Sequence, residues 1–135
     1  MSESFVPMVA DFWTAGHIRI INKAKEISES ITLGILSDSA CGQCGESPFQ
    51  SEDLRIEAAK GILNIDKIVL IRDLIDFSLI DFDIKKINFI VHGDNWNRGE
   101  LLELKYFCQY ISKKNQSQII ETVSYTHLTL PTMFE

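Results

Sequence analysis

The chain has 135 residues, of which 45% are hydrophobic and 24% are charged, and its formal net charge is −6. This length suits one domain with one core, and this composition excludes the disordered, collagen-like and membrane classes. The apolar runs fall well short of the roughly 20 residues that a membrane helix needs.

The negative net charge limits the kinds of partner to expect, and the N-terminal segment indicates the cellular compartment. No basic face is apparent for wrapping nucleic acid, although local N–H dipoles can bind a small anionic substrate. Residues 1–7 contain no basic region ahead of an apolar stretch, so we expect no signal peptide and a cytoplasmic location. The three cysteines (Cys41, Cys44 and Cys108) follow no secreted framework and are expected to be reduced thiols.

Short apolar runs alternate along the chain with stretches of helical periodicity. Strands are predicted at residues 5–10, 31–36, 67–71, 88–92 and 118–123. Helices are predicted at residues 16–27, 51–63, 73–86 and 100–114. Alternation of this kind implies a parallel sheet with right-handed crossovers. The predicted fold class is therefore α/β, a Rossmann-like three-layer α/β/α domain with a parallel five-stranded sheet.

Three predicted loops follow strands, at residues 11–17, 38–50 and 93–99. In open parallel sheets ligands bind beyond the carboxyl ends of the strands, so we expect these loops to line the site. Two local signals accompany them. Pro7, which cannot donate to a strand ladder, predicts an irregularity or an edge position in the first strand. Ser51, followed by two acidic residues, predicts a capped helix start.

The loop at residues 11–17 carries groups suited to phosphate and magnesium. Gly16 lets the backbone approach a ligand where a side chain would collide. The helix that follows offers unpaired N–H groups and a partial positive charge to a phosphate. His17 and Thr14 are candidate donors to phosphate oxygens, and Asp11 is an oxygen ligand suited to Mg2+. These residues predict a phosphate site at the end of the first strand.

The same residues resemble a known family. Residues 14–17, Thr-Ala-Gly-His, match the (His/Thr)-x-Gly-His signature of the cytidylyltransferase-like nucleotidyltransferases, and the match extends over residues 10–25. Residues 91–96, Val-His-Gly-Asp-Asn-Trp, resemble the family's Val-x-Gly-Asp-Asp-Trp. Pro48 with Arg55 resembles its Pro-to-Arg element. Several motifs in the right order are far more specific than one short motif.

The resemblance covers about residues 5–125 and includes residues 34–38, which resemble the end of the family's second strand. The form of the His-Gly-Asp-Asn-Trp loop resembles most the branch associated with phosphoenolpyruvate mutase. Members of that branch include cytidylyltransferases acting on 2-aminoethylphosphonate. The resemblance implies transfer of CMP from CTP to a small phosphonate or phosphate acceptor, with release of pyrophosphate.

The resemblance also implies roles for individual residues. His17 and Thr14 would be catalytic at the phosphates, and Asp11 would hold the Mg2+ cofactor. Arg55 would bind the acceptor or a phosphate. The implied nucleotide-binding residues are Ala10, Asp11, Phe12, Gly16, Gly93, Asp94 and Trp96. A homodimer is common in the family, and neither a nucleic-acid nor a membrane partner is expected.

Three departures from the family pattern bear on activity. Thr14 stands where this branch usually has histidine, although other members of the wider superfamily have threonine at this position. The loop at residues 41–48 has no lysine where the family has one that binds the triphosphate. Residues 124–135 replace the family's last helix with a tail that resembles a spurious peptide translated from adapter sequence. We therefore take residues 1–123 as the nucleotidyltransferase domain and expect it to be truncated.

Two other functions stay open on the sequence. An adenylyltransferase using ATP on a sugar phosphate or similar acceptor would share the first-loop signature. A catalytically impaired nucleotide-binding module would account for the missing basic residue and the missing C-terminal motif. The pair Cys41 and Cys44 is not favoured as a metal or redox site, because zinc needs four ligands and no second pair appears. His92 is expected to face the core or a backbone partner.

Overall fold

A computed structural model describes residues 2–62, 64–76, 87–93 and 102–122. Its elements in chain order are β1 (Glu3–Met8), α1 (Ala15–Ile27), β2 (Ser30–Leu36), α2 (Asp38–Gln43), α3 (Glu52–Ala59), β3 (Lys67–Ile71), β4 (Phe89–Gly93), α4 (Leu102–Asn115) and β5 (Gln118–Thr122). All five predicted strands are present. The predicted tail at residues 124–135 lies outside the described residues.

The five strands form one sheet in the order β3-β2-β1-β4-β5, and all neighbouring strands are parallel. The predicted α/β fold class is therefore confirmed. The strand order reverses between β1 and β4, since β2 and β3 lie on one side of that pair and β5 on the other. Ligands bind at such switch points in open parallel sheets, so the carboxyl ends of β1 and β4 mark the expected site.

Helices cover both faces of the sheet, which gives the three predicted layers. Helices α1 and α3 pack on the face whose buried cluster consists of Val6, Met8, Ala10, Ile20, Ile21, Ala24, Ile31, Leu33, Ile35, Ala59 and Val91. Helices α2 and α4 pack on the face whose buried cluster consists of Phe5, Leu36, Ala40, Cys41, Cys44, Ile71, Leu74, Ile87, Ile90, Leu104, Phe107, Cys108 and Ile111. Consecutive strand residues point to opposite faces, so Phe5 and Val6 belong to different clusters.

The two predicted helix starts are confirmed by local hydrogen bonds and burial. The Ser51 hydroxyl accepts the Leu54 N–H at 3.4 Å and caps α3. On α1, the helical spacing of the sequence predicts one face made of Ile18, Ile21, Ala24 and Ile27. Ile21 and Ala24 are buried, Ile18 and Ile27 are half-buried, and Ile20 joins the buried face. Helix α3 ends at Ala59, before the predicted end within residues 61–63. Among the described residues, no helix is both long and apolar enough to cross a membrane.

The predicted loop at residues 38–50 begins with a helix instead. The Ser37 hydroxyl accepts the Ala40 N–H at 3.0 Å and caps α2, and Asp38 lies in its first turn. Ala40 and Cys41 are buried beneath this helix. The turn-like composition concealed a short helix whose stability depends on tertiary burial rather than on propensity.

Two other expectations need correction. Pro7 lies in the central strand β1 rather than at an edge, but the paired register of β1 with β4 covers only Ser4 and Phe5. The predicted irregularity is thus the short pairing of β1 with β4, and the predicted edge position of β1 is wrong. Residues 72–76 are not helical, and the Asp73 carboxylate accepts the N–H groups of Ile75 and Asp76 at 2.8 and 2.6 Å. The rest of that predicted helix, residues 77–86, lies outside the described residues.

Candidate functional site

The loop between β1 and α1 leaves the sheet at the switch point. Strand β1 ends at Met8, earlier than predicted, because Ala10 and Phe12 adopt left-handed backbone angles with φ of 64° and 50°. Residues other than glycine pay a conformational cost there, of the order of 1–2 kcal/mol. Such strain persists only where surrounding contacts hold it. The contacts of this loop therefore decide its shape.

Helix α1 begins with a reciprocal contact between Thr14 and His17. Thr14 is the N-cap residue, and its carbonyl accepts the N–H of Ile18 at 3.2 Å. The Thr14 N–H donates to His17 Nδ1 at 3.0 Å, and the Thr14 hydroxyl lies 3.2 Å from the same nitrogen. A neutral imidazole has one proton, so an accepting Nδ1 places that proton on Nε2. His17 is therefore oriented as a donor through Nε2–H.

The surroundings of His17 favour its neutral form. Burial lowers the pKa of the His17 imidazole, and the nearby Asp11 carboxylate opposes that shift. The Trp13 ring meets the imidazole edge-on, with ring centroids 5.2 Å apart and planes inclined by 62°. Trp13 Nε1 is buried and has no hydrogen-bond partner within the described part of the chain. Trp13 also packs against the cluster beneath α1 and α3, as expected for a residue lying on the sheet.

Asp11 joins the first loop to the segment before α3. One carboxylate oxygen accepts the Phe49 N–H at 2.8 Å, and the other accepts the Gln50 N–H at 3.0 Å. The Phe12 N–H in turn donates to Gln50 Oε1 at 3.0 Å. The rings of Phe12 and Phe49 lie 6.1 Å apart on the outside of this junction. No group of three side chains suited to a metal ion occurs in the ranges that the structure describes.

Arg55 lies at the carboxyl end of the sheet and is completely buried. Its Nη1 donates to the carbonyls of Val9 and Leu36, both at 2.7 Å, which lie near the carboxyl ends of β1 and β2. Its Nε donates to the Gln50 carbonyl at 3.0 Å, and its Nη2 donates to Asp38 at 2.8 Å. The guanidinium thus ties two strand ends to two loops. A role in binding the acceptor or a phosphate stays a prediction.

The other predicted nucleotide-binding residues fall in three places. Ala10 is buried in the core with its side chain in the α1 and α3 cluster, whereas Phe12 is 55% exposed. Gly16 is the second residue of α1, and Gly93 ends β4, the strand beside β1 at the switch point. Asp94 and Trp96 lie outside the described residues. The structure thus brings Asp11, Thr14 and His17 together and sets Gly93 on the adjacent strand.

His92 meets a backbone partner, as expected. Its Nδ1–H donates to the Gly93 carbonyl at 2.6 Å. Burial lowers the pKa of the His92 imidazole, although that hydrogen bond and Glu121 act in the opposite direction. His92 therefore belongs to the supporting structure of the β4 end.

The Cys-x-x-Cys pair is part of the core. Cys41 and Cys44 are buried, and burial raises the pKa of each thiol to about 11. Thiols are nucleophiles and metal ligands as thiolates, and the raised pKa of these two disfavours that form at neutral pH. Burial also raises the pKa of Cys108.

Sequence reasoning missed Gln50, which contacts three groups of the site. Its N–H donates to Asp11, its side-chain oxygen accepts from Phe12, and its carbonyl accepts from Arg55. The only sequence signal was its position next to the Ser51 helix cap. A glutamine in a loop has no chemistry that distinguishes it until its partners are known.

Comparison with known proteins supports the fold and goes no further. No protein-family model matches this chain, and no curated protein does. Among solved structures, a lipopolysaccharide core biosynthesis protein from Thermoplasma volcanium GSS1 is similar, with a TM-score of 0.73 and 16% identity, covering 93% of this chain and 99% of that one. A protein of unknown function from Archaeoglobus fulgidus has a TM-score of 0.63 and 17% identity, covering 92% and 90%. Identities this low show a shared fold, here a Rossmann-like α/β domain.

Proposed function

We propose that this chain is a nucleotidyltransferase that transfers CMP from CTP to a small phosphonate or phosphate acceptor. The observation that carries the proposal is the start of α1 at the switch point. There the Thr14 N–H donates to His17 Nδ1, so the His17 Nε2–H is a donor next to the N–H groups of the first helical turn. Helix N-termini at this position of a parallel sheet commonly bind phosphate.

The proposed reaction needs little covalent work from the protein. An acceptor oxygen forms a bond to the α-phosphorus of CTP, the bond from that phosphorus to the bridging oxygen breaks, and pyrophosphate leaves. Negative charge then grows on the phosphate oxygens. His17 Nε2–H and the positive end of α1 would stabilise that charge, and the loop at Asp11 would orient the phosphates.

Asp11 fits a Mg2+ that is held mainly by the substrate. Each of its carboxylate oxygens already accepts one backbone N–H. An ionised carboxylate has about four lone-pair sites, so one edge still has capacity for a cation. Mg2+ commonly takes one or two carboxylates and completes its shell with phosphates and water. The ion would neutralise the triphosphate, and Asp11 would keep its contacts to the Phe49 segment.

A second candidate is a nucleotide-binding module that does not catalyse transfer. Residues 38–50 contain no lysine or arginine. The nearby Arg55 donates to four protein oxygens. Positive charge for a leaving pyrophosphate is thus absent from this loop, and charge-assisted contacts are among the strongest stabilisers of phosphates.

Pyrophosphate release in the presence of Mg2+ tests these candidates. CTP and ATP are supplied separately, each with 2-aminoethylphosphonate, phosphocholine or glycerol 3-phosphate. CTP-dependent release supports the proposal, and ATP-dependent release would assign the chain to the adenylyltransferases instead. Nucleotide binding by calorimetry without release from any pair would favour the binding module. Absence of both binding and release would refute a nucleotide function.

The variant His17→Asn separates chemistry from helix capping. An asparagine oxygen can still accept the Thr14 N–H, as capping-box residues at this position do, but it lacks the Nε2–H donor. We expect its unfolding midpoint to stay near that of the wild type while the rate falls by about 100-fold or more. His17→Ala removes both functions and is the matched control. An unchanged rate in His17→Asn would exclude His17 from the reaction.

A further inference from the structure

The first loop holds a backbone shape that its own sequence disfavours. Ala10 and Phe12 both have positive φ, at 64° and 50°, and neither is glycine. Thr14, two residues after Phe12, is the N-cap residue of α1, and its N–H orients the His17 imidazole. A change of backbone angle at Phe12 would therefore move both side chains relative to the sheet.

Gln50 holds that shape from the neighbouring segment. Its side-chain oxygen accepts the Phe12 N–H at 3.0 Å, which is the bond nearest to the left-handed residue. Its own N–H donates to Asp11 at 3.0 Å. Residues 11 and 12 are thus held by the side chain and the backbone of one residue. The bond between the Phe12 N–H and Gln50 Oε1 joins the end of the Gln50 side chain to the backbone of the first loop.

Gln50 is itself anchored to the sheet. Its carbonyl accepts Arg55 Nε at 3.0 Å, and the same guanidinium donates to the carbonyls of Val9 and Leu36 at 2.7 Å. Arg55 is fully buried, and all four of its acceptors are protein oxygens, so this anchor is part of the core. A continuous chain of hydrogen bonds runs from the ends of β1 and β2, through Arg55 and Gln50, to the loop that precedes His17.

We infer that Gln50 is a positioning residue that holds the first loop in the conformation presenting Thr14 and His17 to the phosphates of the nucleotide. This inference rests on the proposed function, since it assumes an anion at the start of α1. Gln50 acts through Asp11 and Phe12. Gln50 is one link between the buried arginine and the first loop, beside the direct bond from Arg55 to the Val9 carbonyl.

Gln50→Met tests the inference, with Gln43→Met as the matched control. Methionine is similar in length but has no oxygen to accept the Phe12 N–H. Gln43 Oε1 accepts the Leu74 N–H at 2.7 Å, so its replacement removes the same kind of bond away from the first loop. We measure the affinities for CTP with Mg2+ and for pyrophosphate by calorimetry. We also measure amide hydrogen exchange and the His17 Nδ1 chemical shift by NMR.

We expect Gln50→Met to weaken both affinities by about tenfold, to speed exchange of the Phe12 amide and to shift the His17 Nδ1 signal. Gln43→Met should stay within about twofold of the wild type in affinity, and faster amide exchange should be confined to the segment at Asp73 and Leu74 that Gln43 contacts. Unchanged affinity in Gln50→Met would overturn the inference, as would unchanged exchange at Phe12.

The outcome also separates this inference from the proposed function. A wild-type chain that binds neither CTP nor pyrophosphate would refute the proposed function alone. In that case the NMR readouts decide the role of Gln50. A shifted His17 Nδ1 signal in Gln50→Met would uphold positioning of the loop, and an unshifted signal would overturn it.

Discussion

Arg55 shows how a charged side chain becomes part of a core. Its guanidinium has no exposed surface and donates to three backbone carbonyls and one carboxylate. Burying an unpaired charge is costly, but a guanidinium has five N–H groups in a fixed fork and can satisfy several acceptors at once. Two of its acceptors, the carbonyls of Val9 and Leu36, lie near the ends of β1 and β2, so the guanidinium supports the sheet as well as the loops.

Replacement of Arg55 should therefore be strongly destabilising. Arg55→Met keeps much of the volume but leaves the carbonyls of Val9, Leu36 and Gln50 without this donor. We expect the free energy of unfolding to fall by about 3 kcal/mol or more. Urea denaturation followed by circular dichroism measures the change.

The control for this prediction is Asp38→Asn. The Asp38 side chain is 55% exposed, so its ion pair with Arg55 is screened by solvent. Its loss should lower the free energy of unfolding by less than about 1 kcal/mol. Equal effects of the two substitutions would show that the ion pair, rather than the carbonyl contacts, stabilises this region.

At the scale of the element, β2 depends on one glycine for its packing. A Cβ added at Gly34 would lie 2.7 Å from Phe5 Cζ and 2.9 Å from Ile71 Cδ1. Phe5 and Ile71 are both buried, so neither ring nor methyl group has free space to move into. Gly34 is paired with Pro7 of β1 in the sheet register. The glycine thus makes room for a large aromatic core residue on the neighbouring strand.

Gly34→Ala should lower the free energy of unfolding by about 1–3 kcal/mol through overpacking. Gly42→Ala in α2 is the matched control, because nothing lies within 4 Å of its added Cβ. Alanine at a helical position should be neutral or stabilising by up to about 1 kcal/mol. Adding Phe5→Leu to Gly34→Ala should recover part of the loss, which a double-mutant cycle detects. Strict additivity of the two substitutions would contradict the packing argument.

At the scale of the whole molecule, the half-buried His17 and the buried His92 link stability to pH. Burial lowers the pKa values of His17 and His92 in the folded chain. In the unfolded chain each imidazole returns to its ordinary pKa of about 6.5. Between the folded and the unfolded pKa values, the unfolded chain binds more protons than the folded chain. The free energy of unfolding therefore falls as the pH drops below about 6.5.

We expect urea midpoints to be nearly constant above about pH 7 and to decline from there to about pH 5.5, a window above the ordinary pKa of carboxylates. His17→Asn should reduce the slope, since one of the two groups no longer titrates. A flat profile, or a midpoint that rises on acidification, would contradict the burial of both imidazoles as neutral groups. Pyrophosphate added at pH 6 should oppose the decline if it binds next to His17, because an anion favours the protonated ring.

Much of the architecture was predictable because it depends on local pattern. Five apolar runs predicted five strands, and the helical spacing of Ile21 and Ala24 predicted the buried face of α1. The alternation of strands with helices was enough to predict the parallel three-layer fold. Parallel strands need a crossover connection, usually a helix, and such crossovers are right-handed. The position of Thr14 and His17 followed from the same reasoning, because the first loop of such a sheet opens at the ligand edge.

Only the tertiary structure decided how the loops connect. The bonds from Asp11 to the segment at residues 49–50 join positions 38 and 39 apart in the chain, and the bond from Arg55 to Val9 spans 46. A local pattern cannot predict such partners, because they meet only after the strands have set the geometry. The same holds for α2, whose helix is stabilised by burial of Ala40 and Cys41. By itself the sequence determined the fold and the sheet edge where a ligand site is expected, while the long-range hydrogen bonds determined the shape of the candidate site.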